Sequence, residues 1–243
     1  MEKAPFRFFD KRLDGWEHVF YEESQQMIME RYSEHGITFH VDDGRMGGGG
    51  DILPFMKPDY ETDGNIYHKG ASEMVTGIIA GYYNNNFADE RKGIFRYLLI
   101  LHGGGEAYAM DYGGCYDTMT VPMNRLSYKA NHAILVGTQR MKRIGNAIGV
   151  FHELGHTCGF GLLNTCGGCD NLSEGSREEW NDYMSVMNYH KYYVRLFDYS
   201  NGTHGRNDFD DWGNIDVGFF QRTADELEGI GFTKAVPPYN RPQ

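Results

Sequence analysis

Val150 to Leu162 reads V-F-H-E-L-G-H-T-C-G-F-G-L, and no other stretch limits the fold of this chain as much. His152 and His156 stand four residues apart, with Glu153 beside the first. On an α-helix that spacing puts both imidazoles on one face, one turn apart. Phe151 and Leu154 are apolar and point away from the histidines, and Ile148 adds a further apolar anchor. Thr138 can cap the start of this helix and Gly159 can end it, so it is expected to run to about Cys158. Both histidines are candidate ligands of one metal ion. Glu153 is then placed to act on a water held there. Zinc suits the donors: it takes imidazole nitrogen and lowers the pKa of its water far enough for a carboxylate to remove the proton.

About thirty residues downstream lies N-D-Y-M-S-V-M-N-Y, Asn181 to Tyr189. Together the two motifs resemble those of the metzincin metallopeptidases. Their pattern is H-E-x-x-H-x-x-G-x-x-H or D, followed by a turn with an invariant methionine, often S-x-M-x-Y. This chain supplies His152, Glu153, His156, Gly159, Ser185, Met187 and Tyr189. S-V-M-N-Y followed by F-D-Y-S-N-G (Phe197–Gly202) looks like a group of secreted-type bacterial and archaeal members. The resemblance implies an α/β (α+β) fold: a twisted mixed sheet with two packing helices, an active-site helix and an irregular C-terminal lobe. It implies a zinc-dependent metalloendopeptidase acting on a protein or peptide substrate. In that reading His152 and His156 hold zinc and Glu153 is the general base. Met187 forms an apolar base beneath the metal, and Tyr189 donates to the transition-state oxyanion, a role a phenol fills well.

Catalytic zinc usually has three protein ligands and one open position. The third position of the motif is Leu162, which cannot bind. Several alternatives stand open. Four extra residues would align Cys166, ahead of Gly167-Gly168, with the usual histidine, and a thiolate binds zinc well. Asp170 is another candidate, as aspartate serves in snapalysin-like members. Asn164, His190 and His204 are further ones, and Tyr189 could itself complete the sphere. Against Cys166, C-G-G-C could close its own disulfide, or Cys166 and Cys169 could pair with Cys158 and Cys115. Two other readings of the whole chain follow. One is an inactive metal- or peptide-binding module. The other is a structural zinc protein in which Cys166 and Cys169 join the histidines in a closed site.

The 243 residues suffice for one catalytic domain with a sizeable core. It divides into an N-terminal lobe, 1–158, and a looser C-terminal lobe, 159–243, with the metal helix at the seam. Strands are expected at Pro5–Asp10, Ile37–Val41, Tyr97–His102 and Ala133–Gly137, the third of them central and buried. Helices are expected at Glu17–Glu34, stopped by His35-Gly36, at Ala71–Tyr83, and briefly at Ala224–Gly229. Asp117–Met123 reads as an edge strand because of Pro122, suited to pairing with an extended substrate.

A formal net charge of −11 argues against a nucleic-acid partner. No run approaches the ~18 apolar residues of a membrane span, and the N-terminus lacks an apolar signal core. Four cysteines allow disulfides, and with the resemblance they favour a secreted or extracellular location over a cytoplasmic one. A monomer is expected. Asp59–Tyr67 has the spacing of the first nine positions of an EF-hand loop, but Gly70 stands where the bidentate glutamate belongs. A polar surface loop is the first reading there and a Ca2+ site the second. Asp208–Trp212, D-F-D-D-W, reads as a solvated turn. Gly47–Gly50 and Gly103–Glu106 lack the ending of a phosphate loop.

Overall fold

The computed structural model describes residues 19–44, 49–50, 85–101, 108–110, 118–122, 139–160, 180–188 and 196–222, with Leu53, Tyr83 and Glu226. Helix α1 spans Glu22–Glu34. Its first turn carries Glu22 and Glu23, which suit the positive end of the helix dipole. Ser24, Gln25, Ile28 and Tyr32 form its buried stripe. The helix begins later than Glu17, since Val19 and Phe20 precede it and Val19 is exposed. It ends as expected: Gly36 has a φ of 73°, and the Gly36 and Ile37 amides turn back to the carbonyls of Ser33 and Tyr32.

Ile37–Val41 is not a strand. Its β-prone side chains serve as packing instead. Phe39 stacks on Tyr32 with ring centres 5.4 Å apart, and Ile37 also lies against the core.

Strand β1 (Tyr97–Leu101) runs parallel to β3 (Thr118–Pro122), and β2 (Tyr108–Met110) runs antiparallel to β3, in the order β1-β3-β2. Among the described strands β1 is terminal; Ala133–Gly137, expected to be a further strand, lies outside the described residues. The unbroken apolar run of β1 is explained by cover on both faces. Leu98 and Ile100 pack on the helical core, while Tyr97 lies against Tyr83 and Phe87 on the other side. Conversely, Thr118–Pro122 is flanked by β1 and β2 and is not an edge, so its Thr118–Thr120 stretch has no open side for a substrate. Pro122 is the last residue of the strand, beyond the part that β2 pairs, where a missing N–H disturbs the ladder least.

Helix α2 spans Gln139–Thr157 and packs against α1, β2 and β3. From Gly145 onward it is buried on all sides. A helix covered all round is a core element, not a surface one. The short helix α3, Asp211–Asn214, is capped by the Asp210 side chain, which accepts from the Gly213 amide. One apolar cluster joins α1, α2 and the 180–215 region, centred on Phe151, Leu154, Phe160, Tyr183, Val186, Met187 and Tyr199.

Expected elements at Pro5–Asp10 and Ala133–Gly137 lie outside the described residues. So does Ala71–Tyr83 apart from Tyr83, which is helical and buried, and Ala224–Gly229 apart from Glu226, also helical. The acidic loop Asp59–Tyr67, Gly103–Glu106, Cys115 and Cys169 lie outside them too. Among the described residues no helix is long and apolar enough to cross a membrane.

Candidate functional site

α2 brings His152, Glu153 and His156 together at 1%, 2% and 6% exposure. Three titratable side chains inside two turns of a buried helix carry a solvation cost that a protein accepts only where they are engaged. The ring centres of His152 and His156 are 4.9 Å apart, with their planes at 86°. Two imidazoles on one tetrahedral zinc, each about 2.1 Å from it, have ring centres roughly 5 Å apart.

Each ring is fixed by a main-chain carbonyl. Nδ1 of His152 bonds to the Val186 carbonyl at 3.0 Å, and Nδ1 of His156 to the Phe160 carbonyl at 2.8 Å. A neutral imidazole that donates from Nδ1 carries its lone pair on Nε2, the form a metal requires. Such outer bonds set the tautomer and orientation of metal-binding histidines. The donor pair therefore fits zinc.

The Phe160 clasp comes from how α2 ends. Gly159 adopts a φ of 95°, and the amides of Gly159 and Phe160 turn back to the carbonyls of His156 and Gly155. This is a Schellman ending, and it folds the Phe160 carbonyl under His156. A β-carbon at Gly159 would also meet Phe219 at 3.0 Å.

The Val186 clasp comes from the turn at residues 183–188. Ser185 Oγ accepts the Met187 amide at 3.1 Å, and the Ser185 carbonyl accepts the Asn188 amide. Asn188 donates to the carbonyls of Trp180 and Tyr183, both at 3.0 Å. Met187 is fully buried, and its sulfur lies over Gly155, between the two histidines in sequence. The segment after the turn ties it to α2. The Val186 amide bonds to the Asp198 carbonyl at 2.7 Å, and the Tyr199 hydroxyl donates to the Phe151 carbonyl at 2.6 Å. Tyr32 reaches Tyr199 at 3.2 Å; since the Tyr199 proton is committed to Phe151, Tyr32 is the donor. Burial pushes both phenols well above their ordinary pKa, so they stay protonated.

Asp208–Trp212 is not a solvated turn. The Asp211 carboxylate is fully buried and accepts from Tyr183 Oη at 2.8 Å and from the Ser200 amide at 3.0 Å. Burial pushes it up to about 7, against the pull of bonds from Ser185, Ser200 and Tyr183. Asp208 accepts from Ser200 Oγ at 2.5 Å, from the Met184 amide at 3.3 Å and from the His204 amide and ring. Burial raises its pKa, the bonds from Ser200 and His204 outweigh that, and the net value is below the ordinary one.

His204 is thereby accounted for: it is an exposed partner of Asp208, at 2.7 Å. Among the described residues no third His, Cys, Asp or Glu joins His152 and His156 in a metal-sized group. The other candidates, Cys166, Asp170, Asn164 and His190, lie outside the described residues, as do Leu162 and Tyr189. Cys158 is a free thiol, so the pairing that would have used it is set aside. It lies 3.5 Å from the Arg96 guanidinium, and burial raises its pKa. Arg96 itself braces the end of α2, donating to Thr157 Oγ1 at 2.6 Å and to the Val217 carbonyl at 2.9 Å.

Compared with family models, with curated proteins and with solved structures, the chain matches none.

Proposed function

We propose that this chain is a zinc-dependent metalloendopeptidase of metzincin type. One observation carries the reading: two buried histidines, one turn apart, have their Nδ1 atoms held by the Val186 and Phe160 carbonyls. The turn that provides the first carbonyl also provides Met187, packed under the helix at Gly155. Packing alone explains a buried methionine, but it does not explain two imidazoles locked in one tautomer with their rings at metal-sharing distance.

In this reading His152 and His156 hold zinc through Nε2, with a third ligand from Cys166, Asp170, Asn164, His190 or Tyr189. When bound, zinc polarises the scissile carbonyl and makes water acidic enough to lose a proton near neutrality. Glu153 takes that proton as water attacks, then delivers it to the leaving amine as the C–N bond breaks. By the resemblance, Tyr189 donates a hydrogen bond to the oxyanion. The fold class, a metzincin-like mixed sheet with a C-terminal lobe carrying the turn, belongs to the same proposal. So do a protein or peptide substrate, a single working chain and a location outside the cytoplasm.

Turnover of an unstructured protein such as casein tests the reading. Wild type is expected to cleave it, and Glu153→Gln to lose at least ~100-fold in kcat while keeping its zinc. Zinc binding without cleavage in wild type would favour the inactive module, and undiminished cleavage by Glu153→Gln would end the proposal.

A further inference from the structure

The turn that holds His152 is built on a carboxylate that belongs to neither motif. Asp211 follows Val186 by 25 residues and is fully buried. It accepts from Tyr183 Oη at 2.8 Å, at the entry to the turn. Its other oxygen accepts the Ser200 amide at 3.0 Å, next to Tyr199, whose hydroxyl bonds to the Phe151 carbonyl just before His152. Inside the turn the Ser185 hydroxyl accepts the Met187 amide, and the Tyr183 carbonyl accepts from the Asn188 side chain. Hydrogen bonds thus run from Asp211 to Tyr183 and from the Tyr183 carbonyl to Asn188, and these two residues bracket Val186, whose carbonyl accepts from His152.

A buried carboxylate is an expensive anchor for a turn unless its oxygens are filled. Here a side-chain hydroxyl and a main-chain amide engage one oxygen each, from both segments that must meet at the histidine helix. An amide in its place keeps one accepting end for the Ser200 amide, and its NH2 end forces the Tyr183 hydroxyl to turn from donor to acceptor.

We propose that Asp211 is a positioning residue for the metal site: by receiving Tyr183 and Ser200 it sets the turn whose Val186 carbonyl fixes the ring of His152. The inference rests on the reading of His152 and His156 as zinc ligands for its consequence, but the orientation of the ring is measurable without metal. His156 is the internal control, since its clasp is Phe160, at the end of α2, and owes nothing to this turn.

The test uses the full chain without metal, wild type and Asp211→Asn, and records the imidazole Nδ1–H proton by nitrogen-edited NMR, followed by zinc titration against a competing chelator. His152→Ala and His156→Ala assign the two signals. Wild type is expected to show both as slowly exchanging protons. In Asp211→Asn the His152 signal is lost or exchanges fast, the His156 signal stays, and zinc binds about 10-fold more weakly. Two unchanged signals would overturn the proposal. Loss of both would overturn it too, since the carboxylate would then support the fold as a whole. If Asp211→Asn does not fold, Tyr183→Phe removes one donor and keeps the acid; a His152 signal untouched in that variant overturns the proposal. If wild type binds no zinc, the metal reading fails, and the NMR result still decides what Asp211 does.

Discussion

Met187 lies so close over Gly155 that a β-carbon there would come within 2.5 Å of its sulfur and 3.1 Å of its terminal methyl. A glycine inside a helix normally costs about 1 kcal/mol relative to alanine. At this position the sign is expected to reverse. Gly155→Ala forces a fully buried methionine to move, at a cost of about 1–3 kcal/mol. Urea unfolding should show a lower midpoint for Gly155→Ala, and Met187→Ala in the same chain should relieve the clash. A more stable Gly155→Ala would contradict the contact.

Gly159 has two constraints, its φ of 95° and the Phe219 ring at 3.0 Å from a would-be β-carbon. Gly159→Ala should cost about 1–2 kcal/mol from the backbone alone. Because the same turn delivers the Phe160 carbonyl to His156, zinc affinity should fall as well, by about 10-fold. Thermal unfolding of the metal-free chain and zinc titration separate the two effects.

Stability should depend on pH through Asp211. Its folded-state pKa is raised from 3.8 to about 7, chiefly by burial. A raised acid binds more protons in the folded chain than in the unfolded one, so its contribution is fully present below about pH 4 and is lost as pH rises to about 7. Relative to Asp211→Asn, wild type should lose on the order of 4 kcal/mol across that window. Urea midpoints of both chains at several pH values check this, and a difference that stays constant with pH would contradict it.

Tyr199→Phe removes the donor to the Phe151 carbonyl and the acceptor for Tyr32. The loss should be about 1–3 kcal/mol, since it strands buried polar groups. Tyr32→Phe in the same chain should cost less than its separate effect, because the two hydroxyls share one bond. A double-mutant cycle by chemical denaturation measures that coupling.

The parts of this molecule legible from sequence are those written in side-chain letters at short range. His35-Gly36 and Cys158-Gly159 mark helix ends because glycine alone tolerates the turn. The spacing of His152 and His156 fixes their shared face. The clasps on those histidines were not legible, because a main-chain carbonyl has no letter of its own. Only the fold shows that Val186 and Phe160 are the residues that provide them. Thr118–Pro122 looked like an edge strand because the place of a strand in a sheet is decided by partners far away in the chain. Asp208–Trp212 looked solvated because three acids in five residues usually are, whereas the donors that receive Asp211 lie 11 to 28 residues off. Ile37–Val41 has β-branched and aromatic letters, which fit a packed irregular segment as well as a strand.

The central claim is that His152 and His156 share one zinc ion. Zinc X-ray absorption on the loaded full chain tests it most directly, for wild type and His156→Ala. The account predicts two imidazole nitrogens at about 2.0–2.1 Å in wild type and one in the variant, with a sulfur at about 2.3 Å if Cys166 is the third ligand. A spectrum without imidazole, or one that His156→Ala leaves unchanged, would contradict the account.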